Sequence, residues 1–267
     1  MKELDEVTIF TCGPEPEDIF TAVYDAWASG LGHERVELAV ETEAMQTRLF
    51  AAYRPVKRDA EKAEKVARSV RHRISADAWH GIYQAALSFS PDRADAVYRF
   101  LVRGFQVGPD IVYRLQDAAV CRLFELSRKV GREGHLFLEF ARFEQWQNGM
   151  LFARLAPKCN VLPIVAPHFA GRLSGEDWVI YDETRQRAAV HPAGQSWFLT
   201  DMKESGWEAF FPGGPDREKR LLPYDGEDWE NLWRTFVDHI AIESRVNPSL
   251  QRNLMPLWYR KHMTEHL

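Results

Sequence analysis

The stretch GHLFLEFARFEQWQNGMLFARLAPKCNVLPIVAPHFAGRLSGEDWVIYD, Gly134 to Asp182, decides how this chain is read. Leu136, Leu138 and Phe140 alternate as on one buried face of a strand, and Arg142 is the next residue on that face. Asn148-Gly149 between two such segments is a hairpin signal. The pattern predicts strands over 135–145 and 150–155, a short apolar helix over 161–173, and strands near 177–182, 187–191 and 196–200. The order β-β-α-β-β implies an antiparallel sheet with a helix on one face. The helix would deliver His168, Phe169 and Arg172 close together. A half-buried arginine is costly without an anion, so Arg142 asks for a carboxylate of the protein or a phosphate from outside.

Upstream of this block the sequence is mainly helical. Val7–Phe10 and Val36–Val40 read as short strands, with a helix between them over Glu15–Ser29, where Ile19, Phe20, Val23, Tyr24 and Trp27 recur at helical spacing. Helices follow over Asp59–Ile74, Ala76–Leu87, Pro91–Gln106 and Pro109–Lys129, punctuated by Ser90-Pro91 and Gly108-Pro109. Gly131 to Gly134 is the seam. It divides a mainly helical part, 1–130, from an α+β part, 131–267. Downstream, residues 210–228 read as a loop and Trp229–Ser244 as a final helix. The fold class is α+β: a helical bundle, an antiparallel sheet and a C-terminal helix.

Composition narrows the function. Of 267 residues, 45% are hydrophobic and 27% charged, as in a globular protein, and the net charge is −5. A chain that coats nucleic acid by bulk charge is basic, so any phosphate-binding surface here is local. The three cysteines, Cys12, Cys121 and Cys159, show no zinc-ligand spacing and imply no disulfide framework. The opening MKELDEVTIF is too polar for a signal peptide and no apolar run is long enough to cross a membrane, so a cytoplasmic protein is expected. No P-loop, dinucleotide-binding glycine pattern or nucleophile elbow occurs, and neither a cofactor nor a metal is expected.

His168 and Arg172 lie four residues apart on the predicted helix and share a face. Together with Phe169 they are what a phosphate-and-base site uses, charge for the backbone and a ring for stacking. As an enzyme, the chain would use His168 as general acid or base, Arg172 as anion clamp and Asp182 as the converging carboxylate. The basic stretch 54–73, RPVKRDAEKAEKVARSVRHR, reads either as a solvated helix face or as a grip on phosphates. Near the C-terminus Arg245, Asn247, Arg252 and Arg260 are further candidates.

Several strings in the centre and at the end of the chain carry a resemblance. They are His135…Phe140-x-Arg142-Phe143, Asn148-Gly149, Leu162-Pro163…Pro167-His168-Phe169-x-x-Arg172, Trp178 and Asp182. Later come Leu232-Trp233-Arg234-Thr235-Phe236, Arg245-x-Asn247-Pro248…Leu250-Gln251-Arg252 and Met255-Pro256…Tyr259. With these the chain resembles a family of DNA metabolism or repair proteins associated with a radical SAM partner, whose domain also occurs fused to uracil-DNA-glycosylase-like proteins. It departs from that family at Thr11-Cys12-Gly13-Pro14, where a Tyr-Asp-Gly type of turn is usual, and at Trp258, where a basic residue is expected. The resemblance implies a role in DNA repair or modification beside a radical SAM enzyme, and the first reading of the chain is an accessory subunit that binds single-stranded or damaged DNA. His135, Arg142, Phe169, Arg245, Asn247 and Arg252 would contact the substrate. The alternatives are a nucleic-acid hydrolase or lyase, and an interaction scaffold whose helical part docks the partner.

Overall fold

A parallel β-α-β arrangement opens the chain. The computed structural model describes residues 7–41, 48–145, 149–202, 235–236, 239 and 247–263. These fall into two compact units, Met1–Arg132 and Glu133–Leu267.

In the first unit, strand β1 (Val7–Cys12) is followed by helix α1 (Pro16–Ala28) and strand β2 (Val36–Val40). The two strands pair in parallel, Thr8 opposite Val36 through Cys12 opposite Val40. Parallel neighbours need a crossover connection, and α1 supplies it. It buries Ile19, Phe20, Ala22, Val23 and Ala26. A third strand, β3 (Ala51–Pro55), pairs in parallel with the other edge of β1, giving the order β2-β1-β3. The sequence hides β3, because AAYRP lacks alternation and ends in a proline. An edge strand tolerates that proline.

Four helices complete the unit: α2 (Ala60–Arg73), α3 (Ala76–Ala86), α4 (Arg93–Val107) and the start of α5 (Ala118–Phe140). Asp59 caps α2 by accepting from the Glu61 and Lys62 N–H groups at 3.0 and 3.1 Å. Ser75 caps α3 through the Ala78 N–H at 3.0 Å. The expected helix from Pro109 is instead a 3-10 turn, Pro109–Tyr113, and α5 begins at Ala118. Val66, Val70, Ile82, Val97, Phe100, Leu101 and Leu123 pack into one buried cluster with the sheet-facing residues of α1.

In the second unit, strands β4 (Phe143–Gln145), β5 (Leu151–Leu155), β6 (Trp178–Asp182), β7 (Arg187–His191) and β8 (Phe198–Asp201) form one sheet in sequence order. Helix α6 (Leu162–Arg172) connects β5 to β6. The α+β class holds, and the order along the chain is β-β-α-β-β-β, one strand more than the expected unit. The sheet is mixed, however, because β5 and β6 run parallel, with Leu151 opposite Trp178. All other pairs are antiparallel. Every residue of β6 is buried, as befits a central strand covered on both faces.

The strand expected over 135–145 is corrected to helix through Phe140, with only 143–145 extended. Burial there falls on Glu133, Gly134 and Phe137, a helical spacing. The apparent alternation arose because a glycine and a glutamate occupy core positions of that stripe. Gly134 is no break: a Cβ on it would stand 3.1 Å from Cγ2 of Ile164, so the small residue permits α6 to approach. β4 and β5 do pair as the hairpin signal requires, and Gly149 has φ of 84°. Asn148, the loop 210–228 and all but three residues of the helix expected over Trp229–Ser244 lie outside the described residues. A short helix α7 (Pro248–Leu254) and a 3-10 segment, Leu257–His262, close the chain's described part.

Candidate functional site

Helix α6 sorts its side chains cleanly. Leu162, Val165, Ala166 and Phe169 are buried, while His168 and Arg172 are exposed one turn apart. Neither makes a hydrogen bond or ion pair among the described residues. The His168 ring stands edge-on to Phe169, centroids 5.2 Å apart and planes at 87°. Phe169 in turn meets Phe143 at 4.9 Å and 72°. The expected pairing of His168 with Arg172 on one face is therefore present. Phe169 lies beneath that face, supporting it, and is not open to stack on a base.

Of the other expected residues, Arg142, His135 and Asn247 make contacts within or at the end of their own helices. Arg142 is a helix cap: its Nη1 donates to the carbonyls of Glu139 at 3.1 Å and Ala141 at 3.4 Å. The partial negative charge at the end of α5 is among the partners of this cation. His135 is exposed on α5, with Nε2 3.2 Å from Glu139 Oε1 one turn on. Asn247 is the cap of α7, its Oδ1 accepting from the Leu250 N–H at 3.0 Å. Arg252 is exposed on α7. Arg245 lies outside the described residues.

Asp182 is fully buried at the end of β6, and its carboxylate is spent on structure. Oδ1 accepts from the backbone N–H groups of Thr184 and Arg185, at 2.9 and 3.1 Å, and Oδ2 from Arg185 Nη1 at 3.0 Å. Burial pushes its carboxyl up and Arg185 opposes that rise. The residue expected as the catalytic carboxylate beside His168 thus bonds the β6–β7 turn.

A neighbouring set of contacts has no signal in the sequence. Glu133 is buried and accepts from the N–H groups of Lys158 and Cys159, at 2.7 and 2.9 Å. Arg185 donates to the carbonyls of Pro157, at 3.3 Å, and Lys158. Trp258 Nε1 donates to the Ala156 carbonyl at 2.7 Å, and Lys158 Nζ lies 5.2 Å from its ring centre. The family resemblance placed a basic residue at Trp258. Here the indole pins the segment after β5, and Glu183 anchors Lys261 and His262 behind it.

In the first unit the ends of the parallel strands carry a second polar cluster. Arg58 grips Asp18 with two bonds, Nε–Oδ1 at 2.7 Å and Nη2–Oδ2 at 2.8 Å, and Asp18 Oδ2 also accepts from the Glu15 N–H at 3.1 Å. A Cβ at Gly13 would stand 2.5 Å from that oxygen, so the position admits only glycine without displacing Asp18. Cys12 beside it is fully buried, and burial together with the Asp18 charge pushes its thiol up to about 12. Such a thiol is no nucleophile at neutral pH. Cys159 is buried as well, and Cys121 is exposed. A maleimide or aromatic disulfide reagent at pH 8 is therefore expected to modify one thiol, Cys121, in the folded protein and all three after denaturation. Rapid native labelling of Cys12, read by peptide mass, would contradict the burial argument.

An open cleft of about 490 Å³ lies along α4 and the start of α5. Its arginines are already paired, Arg99 with Asp95, Arg103 with Asp117 and Arg122 with Asp92. Among the described residues no three His, Cys, Asp or Glu side chains group as metal ligands, and no helix is long and apolar enough to cross a membrane.

The two units thus define a mixed α/β protein with His168 and Arg172 exposed on a helix of the second unit. Residues 91–265 match the family model of a domain of unknown function, DUF4130, and the chain belongs to that family. No curated protein matches the chain. A solved structure described as the DHH domain of a member of a family of ribosomal proteins aligns over 70% of this chain and 73% of its own, with 10% identity and a TM-score of 0.33. That likeness is too loose to inform fold or function.

Proposed function

We propose that this protein binds single-stranded or lesion-bearing DNA as an accessory subunit of a radical SAM enzyme in DNA repair or modification. The observation that carries the reading is the α6 face, where His168 and Arg172 project without partners among the described residues from a chain whose net charge is −5. An exposed arginine without a hydrogen-bond or ion-pair partner among the described residues suits a phosphate. The rings of Phe169 and Phe143 stiffen the helix beneath it. The resemblance of the central strings supplies the biological setting, and α6 lies within the matched family region. With no CxxxCxxC string in the sequence, an iron–sulfur step would belong to the partner.

The hydrolase or lyase reading loses support at Asp182, whose oxygens are engaged in the turn. Anisotropy of a fluorescein-labelled oligothymidylate across a salt series tests the DNA reading. The wild-type chain is expected to bind with a steep salt slope, and Arg172→Gln to bind several-fold more weakly with a slope shallower by about 0.7. Arg172 is exposed, so the thermal midpoint should not move. Absent binding, or binding indifferent to salt, would overturn the proposal.

A further inference from the structure

Residues 54–73 hold eight lysines and arginines against three acidic residues, a local charge of +5, while the rest of the chain sums to −10. Most of this segment is α2, whose buried face is Ala63, Val66, Ala67 and Val70. On the opposite side Lys65, Arg68 and His72 follow one another as a ridge, with Arg71 and Arg73 at its flanks, all exposed. Neighbours at this spacing stand roughly 5–6 Å apart, and the helix is about 21 Å long.

Two cations of the segment are committed to the fold: Arg58 to Asp18 and Lys62 to Asp25, each at 2.7 Å. Among the described residues the others are not held by carboxylates in that way. Glu64 stands 3.7 Å from Arg68 and 3.8 Å from Arg71, with all three side chains roughly half exposed or more. Such pairs contribute little. Aromatic faces hold the cations in place: Arg71 lies 4.7 Å from the Trp79 ring centre, Arg73 5.0 Å from Phe105, and Lys65 5.9 Å from Tyr24. A guanidinium stacked on a ring is fixed in position while its N–H edge stays open to an anion. The carboxylates of α2, Glu61 and Glu64, both precede Lys65, and none interrupts the cations from Lys65 to Arg73.

We infer that the outward face of α2 is a second phosphate-tracking surface, built to lie along the backbone of single-stranded DNA without reading its sequence. This rests on the reading that the protein's partner is DNA, but it places a contact in the first unit, on a helix preceding the matched family region. A membrane surface fits less well, since the ridge offers no apolar side chain to insert and the apolar face of α2 is buried.

The test uses the full chain and the same oligothymidylate assay. Replacing Lys65, Arg68, Arg71 and Arg73 by glutamine together should make the salt slope shallower by about 3 and weaken binding on the order of a hundredfold at physiological salt. Glu64→Gln should tighten binding, an effect that misfolding cannot imitate and that decides the matter if the fourfold variant fails to fold. A folded fourfold variant with the wild-type slope overturns the inference. If Arg172→Gln weakens binding in that case, the α6 reading stands without α2. If the fourfold variant weakens binding and Arg172→Gln does not, α2 stands and the α6 contact falls. Binding of the wild-type chain to phosphatidylserine vesicles with none to the oligonucleotide overturns both.

Discussion

Asp182→Ala is expected to destabilise the protein by about 3–5 kcal/mol, the usual cost of removing one member of a buried charge pair. Two turn N–H groups lose their acceptor at once, and Nη1 of Arg185 loses its carboxylate and keeps only the Pro157 carbonyl at 3.3 Å. The Arg185 side chain is only 23% exposed and so recovers little hydration. Asp182→Asn keeps an acceptor for the turn and should lose less than half as much. Denaturant midpoints read the difference, with an unchanged slope showing that the unfolded state is not altered. A variant as stable as the wild type that loses only DNA affinity or activity would return Asp182 to the functional set.

Trp178→Ala is expected to cost about 3–5 kcal/mol by leaving a large cavity in the most buried strand. The indole has no exposed surface and stacks on His191, its cross-strand partner, with centroids 5.0 Å apart and planes within 7°. Its Nε1 hydrogen finds no acceptor among the described residues. A buried donor without a partner is a standing penalty of about 1–3 kcal/mol, so Trp178→Phe removes that penalty while keeping most of the ring. We expect the phenylalanine variant to lie close to the wild type in a denaturant melt and the alanine variant far below it. Equal losses in both would mean that the indole nitrogen is bonded in solution.

Much of the fold was readable because its signals are local. Ile19, Phe20, Val23 and Tyr24 recur at helical spacing along α1, and α2, α3 and α4 fall close to their expected bounds. The spacing of four between His168 and Arg172 gave their shared face directly. Where the reading failed, a core position was filled by an unexpected residue. Glu133 and Gly134 broke the apolar stripe of α5 and made its last turns look like a strand, which carried Arg142 with it from a helix cap to a sheet face. The parallel pairing of β5 with β6 has no signature in either strand alone. Asp182 could have been read better: an aspartate ending a strand before a polar turn commonly bonds backbone N–H groups two residues on. The contacts of Trp258 with Ala156 and of Arg185 with Pro157 span 102 and 28 residues, beyond any local pattern.

The segment 156–159 is drawn as a loop, yet Glu133, Arg185 and Trp258 bond both its N–H and its C=O groups from three separate parts of the chain. Changes at these three positions share one target and will not add. The loss of one partner loosens the segment and so lowers the cost of losing the next. A substitution tolerated at 133, 185 or 258 is therefore expected to depend on what occupies the other two positions.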